Sequence, residues 1–376
     1  MSYRILLLGG GSGGHVYPLM AVADALKKKS SQSGVSLELL VMGEGKFLKE
    51  SCSERGLRFK FVVAGKMRRY FSILNFLDLF KIPIGFLQSV WYIFWFMPDV
   101  VFAKGGYASL AGAIVSKLYL TPLFIHESDS TLGLANKVLS KMAGTIFTSF
   151  SSTEKYFKPG QAVLVGNPVR KNLLFGEKTT ALANFGLSQE QKTILVLGGS
   201  QGAQRINRAI LDSIVVMAKD FQVIHQCGES QYQAVKLETE KITKEGAGEY
   251  EQIIKNNYKF FPFFDEKTMA LAYTASDVII SRAGAGSIFE IAAVGKPAIV
   301  IPLSNSVSRG DQIANALEFV KFGAVMIEEE NLTTNILLNQ IKSLLEPANL
   351  ELTVQKIKSF ATPDAADKIA LNLLSK

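Results

Sequence analysis

Two cysteines and three histidines are all that 376 residues hold of the side chains that most often build disulfides and metal centres. Cys52 and Cys227 lie far apart and neither sits in a Cys-x-x-Cys pair, which argues against a disulfide framework or a zinc site and fits a reducing compartment. Charged residues are also sparse, 20% of the chain against 48% hydrophobic, so the composition is that of a folded globular protein. The apolar surplus never gathers into a long uninterrupted run. The richest stretch, Ile73 to Met97, is broken by Asp78, Lys81, Pro83, Gln88 and Ser89 and falls short of the roughly 20 apolar residues a spanning helix needs. After Arg4 only Ile5 to Leu8 precede the first glycines, too short for the apolar core of a signal peptide, so the protein is expected to stay in the cytosol.

The length exceeds what one hydrophobic core usually serves and predicts two domains. The net charge of +8 is lopsided: Met1 to Arg170 carries 20 Lys+Arg and 10 Asp+Glu, while the remainder carries 21 and 23. A basic first half points to a local anionic partner, for which nucleic acid and anionic lipid both qualify on charge.

What the chain does have is glycine at strand ends. Ile5 to Leu8 runs into Gly9-Gly10-Gly11-Ser12-Gly13-Gly14, and Ile194 to Leu197 runs into Gly198-Gly199-Ser200-Gln201-Gly202, each followed by a helical pattern. A second pair repeats the design, Val100 to Ala103 before Lys104-Gly105-Gly106-Tyr107 and Val278 to Ser281 before Arg282-Ala283-Gly284-Ala285-Gly286. Backbone N–H groups at such a helix start point at an anion, and glycine lets the main chain approach it. Further strand-like runs at Leu37–Met42, Leu123–His126, Thr145–Thr148, Gln222–His225, Ala298–Pro302 and Ala324–Ile327 alternate with helical patterns. Near-continuous apolar strands of this kind predict parallel sheets covered on both faces, hence an α/β protein of two doubly wound domains joined between Pro159 and Pro168. The charged stretch Lys236–Lys255 reads as a surface loop or exposed helix.

Gly9-x-Gly11-x-x-Gly14 formally matches a dinucleotide fingerprint, but the acids near the second strand fit it poorly, Glu38 lying at the strand's start and Glu44 30 residues past Gly14, and the mid-chain turn lacks the pattern, which disfavours nicotinamide chemistry. His15 follows the first turn, where it could act as a general base or rigidify its own loop. Glu290 could accept hydrogen bonds from sugar hydroxyls or serve as a first-turn charge, and Arg170 could pair with a phosphate or a carboxylate. Glu127 and Asp129 resemble half of a divalent-metal clamp, too few ligands for a dedicated site. Lys66, Arg68, Arg69 and Phe71 lead into Ile73, Phe76, Leu77 and Phe80, a one-sided apolar stripe continued by Phe86 and suited to the headgroup layer of an anionic membrane. Most of Val90–Met97 is expected to pack in the core.

Read in order, Gly10 to Pro18, Gly105 to Ser109, His126-Glu127, Val165 to Arg170, Gly198 to Ala203, Ser281 to Glu290 and Asp311-Gln312 through Asn315-Ala316 resemble the MurG family of peptidoglycan N-acetylglucosaminyltransferases. The resemblance implies a GT-B fold, two Rossmann-like domains facing across a cleft. It assigns residues 1–165 to lipid I and the membrane, with a helix at about 360–376 packing back on them, and 166–359 to UDP-GlcNAc. It implies inverting transfer of GlcNAc to the 4-hydroxyl of MurNAc in lipid I, giving lipid II, with no cofactor, no tightly bound metal and no nucleic acid. Donor contacts are implied for Ser12, Gly13, Gly14, Asp129, Arg170, Ser200, Gln201, Phe264, Ala285, Gly286, Ser287, Ile288, Phe289, Glu290, Asp311 and Gln312. Acceptor contacts are implied for Gly10, Gly11, Gly105, Gly106 and Tyr107, with His15 as the catalytic candidate. The family's His-Glu-Gln-Asn appears here as His126-Glu127-Ser128-Asp129, an aspartate replacing the asparagine that approaches the donor sugar. Peripheral attachment to the cytoplasmic face of the inner membrane, near other cell-wall synthesis proteins, is implied as well. The alternatives are another UDP-sugar enzyme of the same fold, such as a glycolipid transferase or a UDP-GlcNAc 2-epimerase, and a non-catalytic sugar-nucleotide-binding membrane adaptor.

Overall fold

The computed structural model describes residues 2–65, 73–199, 203–245, 248–304, 308 and 310–375, and in the helix Ile73–Phe96 it describes side chains from Lys81 onward. The chain divides into two compact units, Met1–Val169 with Thr362–Lys376, and Arg170–Ala361.

The first unit is built on seven parallel strands: β1 (Tyr3–Gly10), β2 (Leu37–Glu44), β3 (Arg58–Phe61), β4 (Val100–Ala103), β5 (Leu123–Glu127), β6 (Thr145–Thr148) and β7 (Ala162–Leu164). Their order in the sheet is β3-β2-β1-β4-β5-β6-β7. Successive side chains point to opposite faces, and both faces are buried. Ile5, Leu7, Val41 and Phe102 share one core with Val16, Leu19 and Leu26 of the helix Gly13–Ser33, and Ala366, Ile369 and Leu373 of the helix Ala365–Leu374 join them. Leu6, Leu8, Met42 and Val101 meet Ile93, Phe96 and Val115 on the other face. The Tyr3 hydroxyl donates to the carbonyl of Leu373 at 3.0 Å, so the last helix is tied to the first strand by a hydrogen bond as well as by packing.

The second unit repeats the plan with six parallel strands: β8 (Lys192–Leu197), β9 (Phe221–Gln226), β10 (Tyr258–Phe261), β11 (Val278–Ser281), β12 (Ala298–Val300) and β13 (Val325–Met326). The order is β10-β9-β8-β11-β12-β13. Its core packs Ile194, Val196 and Ile280 against Ile206, Ile210 and Ile214 of the helix Gln204–Asp220 and Leu337 and Ile341 of the helix Thr334–Leu345. The charged stretch around Lys236–Lys255 forms parts of two helices, Tyr232–Glu245 and Glu249–Asn257.

In each sheet the winding reverses once, at β1/β4 and at β8/β11. These are the switch points where open α/β sheets leave a crevice beyond the strand C-termini. All four glycine turns follow the strands that flank them.

The expectation that most of Val90–Met97 is core is corrected. Ile93 and Phe96 are buried, but Trp91 is 61% and Trp95 65% exposed, and Phe94 and Met97 also face out. Ile82, Ile84 and Leu87 of the same helix are exposed as well, and so are Leu118 and Leu120 at and just past the end of the helix Tyr107–Leu118. Phe86 points the other way, packed partly against the core of the first unit. No helix among the described residues is long and apolar enough to cross a membrane.

Candidate functional site

At the switch point of the first unit, Gly10 takes φ +154° and its Cα approaches β2 so closely that a Cβ would lie 2.5 Å from the Glu44 carbonyl oxygen. That requirement bends the chain off β1 into the helix Gly13–Ser33, whose N-cap Ser12 makes no side-chain capping bond. His15 and Val16 are the first amides to bond back, both to the Ser12 carbonyl, at 3.0 and 3.2 Å. The amides of Gly13 and Gly14 precede the first bonded turn, in the position from which a helix start meets anions.

The His15 ring lies over the second turn, 3.8 Å from where a Cβ on Gly106 would stand. Gly106, with φ +77°, caps the helix that begins at Tyr107, and the Ser109 hydroxyl bonds back to the Gly105 carbonyl at 2.7 Å. His15 Nδ1 is shut off from solvent without a partner among the described residues. Burial, and after it the charge of Lys104, lowers the His15 pKa to about 4, so the ring is neutral near pH 7.

The end of β5 is braced from several sides. His126 Nε2 bonds the Gly166 carbonyl at 2.9 Å, and burial above all holds the His126 ring neutral. Glu127 accepts from the amides of Asp129 at 3.2 Å and Gly133 at 3.0 Å and from the Asn136 side chain at 3.0 Å. Burial, then the charge of Asp129, raises the Glu127 pKa. This carboxylate is thus committed to organising its own loop. No cluster of three metal-ligating side chains occurs among the described residues.

In the second unit Gly198 and Gly199 leave β8, and Ser200, Gln201 and Gly202 fall outside the described residues. Lys66, Arg68, Arg69 and Phe71 fall outside them too, and the side chains of Ile73, Phe76, Leu77 and Phe80 are not described. Beyond β11, the helix Ala285–Val294 starts at Gly284, and Ile288 is the first amide bonded back, at 3.1 Å to the Gly284 carbonyl. Ala285, Gly286 and Ser287 therefore present the amides of an anion-accepting helix start. Ile288 and Phe289 turn their side chains into the core, Phe289 against Phe360 at 4.5 Å between ring centres. Phe264 is buried against Phe185 and Phe261, so only its main chain is available to a ligand.

Arg170 and Glu290, assigned separately from sequence, form one buried pair. Arg170 Nε and one Nη each donate to a different Glu290 oxygen at 2.8 Å, and the Tyr273 hydroxyl adds a bond at 3.2 Å. The arrangement is a bidentate fork, the stronger form of ion pair. A carboxylate offers about four acceptor positions, so three donors leave room for one more. On the neighbouring helix Asp311–Val320, the Gln312 Oε1 accepts from the Leu303 amide at 3.1 Å, which aims its amide nitrogen. The buried Asn315 donates to the Ala283 carbonyl at 3.3 Å and fixes the β11 turn.

Sequence reasoning assigned no individual role to Tyr273, Asn136, Asn167 or Lys104, although Asn167 and Lys104 stand inside the motifs it quoted. Only Lys104 left a visible signal, a cation between an apolar strand and a glycine pair.

Two parallel-sheet units, each with its strand-end turns at the switch point, form the GT-B fold, and two family models make the chain a glycosyltransferase of that fold. The glycosyltransferase family 28 N-terminal domain matches residues 5–148 and the family 28 C-terminal domain residues 193–369. The UDP-N-acetylglucosamine--N-acetylmuramyl-(pentapeptide) pyrophosphoryl-undecaprenol N-acetylglucosamine transferase of Legionella pneumophila strain Paris is 37% identical over 98% of this chain and 96% of its own. The transferase of the same description from Clostridium kluyveri is 34% identical over 99% of both chains. The chain belongs to glycosyltransferase family 28 and, within it, to the MurG family of N-acetylglucosamine transferases. Acinetobacter baumannii MurG aligns with a TM-score of 0.70 at 23% identity, covering 100% of both chains. The UDP-GlcNAc 2-epimerase of Neisseria meningitidis bound to UDP-GlcNAc gives 0.69 at 14%, again over 100% of both. Such distant likenesses speak for the fold, which transferase and epimerase share; the transferase family rests on the closer sequence relatives.

Proposed function

We propose that this enzyme transfers N-acetylglucosamine from UDP-GlcNAc to the 4-hydroxyl of the MurNAc residue of lipid I, with inversion at the anomeric carbon, to give lipid II. The observation that carries this reading is the pairing of switch-point turns, one set in each unit, in a chain whose close relatives bear the name of that transferase. The donor diphosphate rests on Gly198–Gly199, Ser200–Gln201 and the amides of Ala285, Gly286 and Ser287. Glu290 and Gln312 hold donor hydroxyls, Asp311 lies beside Gln312, and the main chain at Phe264 meets the uracil. Arg170 acts by fixing Glu290. The developing charge on the leaving diphosphate is met by these preoriented N–H groups.

The acceptor diphosphate lies on Gly10, Gly11, Gly105, Gly106 and Tyr107. Ser12, Gly13, Gly14 and Asp129 face the transferred sugar. The neutral His15 takes the proton of the attacking hydroxyl.

The enzyme works at the cytoplasmic face of the inner membrane, attached through the exposed apolar surface of the first unit. Trp91, Phe94, Trp95, Leu118 and Leu120 are exposed apolar side chains of that unit, and tryptophan suits the boundary between headgroups and acyl chains. Incubation with radiolabelled UDP-GlcNAc and a short-chain lipid I analogue is expected to yield a labelled β-1,4-linked disaccharide on the lipid. A product lacking that linkage, or none, refutes the proposal.

A further inference from the structure

Lys104 is among the largest fully buried side chains of the protein, only 1% exposed, and it follows β4 directly at the switch point. Its amide bonds the Leu8 carbonyl at 2.9 Å, so its backbone is locked to β1 just before the Gly9–Gly14 turn. Its side chain crosses to the end of β5, where the ammonium donates to the Ser128 hydroxyl. That hydroxyl donates in turn to Asn167 Oδ1 at 3.0 Å. The immediate sequence neighbours of Lys104 in the turn are Gly105 and Gly106, and the His15 ring lies over Gly106. A buried ammonium is costly unless countercharges face it. Here Glu127 and Asp129 face it with negative charge, while His15 and His126 are the titratable groups whose protonation its charge opposes.

We propose that Lys104 is a positioning residue for sugar transfer: its buried ammonium ties the β4 turn to the Ser128–Asp129 end of β5 and supplies the positive field under which His15 meets the acceptor hydroxyl. The proposal rests on the reading of His15 as the proton acceptor. Ser128 and Asp129 stand at the positions that depart from the family's His-Glu-Gln-Asn pattern, and Lys104 is the cation that engages them. Lys104 does not touch the reacting atoms. With the ammonium in place His15 stays neutral, and Asp129 is held beside a cation inside the turn cluster.

Two limbs of the pH profile carry the signature. Burial lowers the Lys104 pKa to about 8, with Glu127 and Asp129 pulling the other way, and the His15 pKa stands at about 4. Activity is therefore expected to rise as His15 loses its proton and to fall as Lys104 loses its own. In Lys104→Met the alkaline limb near pH 8 disappears, and the acid limb moves up toward the ordinary imidazole value of 6.5. The plateau rate drops on the order of ten- to a hundredfold, the scale set by small misplacements of reacting groups. Ser128→Ala keeps the cation but removes the hydroxyl it donates to; it is expected to lower the plateau while leaving the acid limb in place.

A measurement on the unaltered protein covers the case in which Lys104→Met is unstable. The ¹³C shift of the His15 ring is expected to show a second inflection near pH 8, and a single inflection overturns the proposal. His15→Ala separates the two claims. If that variant keeps a near-normal kcat, the proton-acceptor reading falls and this proposal with it. If it is impaired while Lys104→Met keeps both limbs of the native profile, the proposal alone falls.

Discussion

Replacing Arg170 by methionine is expected to damage the second unit as much as it damages catalysis. The guanidinium makes two bonds of 2.8 Å to Glu290, and the two side chains are 5% and 10% exposed. With Arg170 gone the carboxylate keeps, among the described residues, the Tyr273 hydroxyl at 3.2 Å and remains in a site built for a charge pair. Removing one partner of a buried pair costs about 3–5 kcal/mol, against the roughly 0–1 kcal/mol of an exposed bridge. Arg170→Met should therefore unfold the second unit well before the native protein in urea, followed by the fluorescence of a probe placed in that unit. The double variant Arg170→Met, Glu290→Met leaves no orphaned charge and should recover most of the loss, since apolar replacement of a whole buried pair is often close to neutral. Donor binding should remain impaired in both. A single variant as stable as the native protein would refute the reasoning and return Arg170 to the role of a free phosphate ligand.

Three further outcomes are expected. His15→Ala should lower kcat by about 10²–10⁴ with UDP binding intact, the range for loss of a general base, as read by steady-state kinetics. Trp91→Ser with Trp95→Ser should weaken sedimentation with anionic vesicles without shifting the thermal unfolding of the protein, because both rings are exposed; unchanged sedimentation would remove this surface from the membrane contact. Burial pushes the Asp277 carboxyl up, but the Lys178 and Thr193 hydrogen bonds and the charges of Lys178 and Lys192 hold it below its ordinary value of 3.8. A depressed carboxyl contributes stability that is present above its unfolded pKa and lost as pH falls through the folded one. Asp277→Asn should accordingly cost stability at neutral pH and lose that penalty in acid, as measured by urea denaturation at several pH values.

How far the sequence could be read follows from what each pattern determines. The central strands were visible because both faces are buried and their residues are continuously apolar, as in Ile5–Leu8 or Val278–Ile280. The strands that escaped, β3, β7 and β10, are all sheet edges, and Arg58-Phe59-Lys60-Phe61 lacks any such run. The turns were legible because glycine and a following helix are local signals. The Arg170–Glu290 fork was not, since its members are 120 residues apart and each alone had two reasonable partners. The rotation of the helix Ile73–Phe96 was hidden for a different reason. From Val90 to Met97 every residue is apolar or aromatic, so no polar face marks the outside, and only the packing of Ile93 and Phe96 reveals that Trp91, Phe94 and Trp95 look outward. Lys104 shows the converse, a cation that local pattern would place in solvent and that its partners hold inside.

Because transferase and epimerase share this fold, the most direct test follows the fate of the sugar. Protein is incubated with radiolabelled UDP-GlcNAc, with and without a lipid I analogue, and the products are separated and their linkage read by NMR. The account predicts that label moves only when the acceptor is present and appears in a β-1,4-linked disaccharide with release of UDP. Conversion of UDP-GlcNAc to its 2-epimer without acceptor, or an α-linked product, would contradict it.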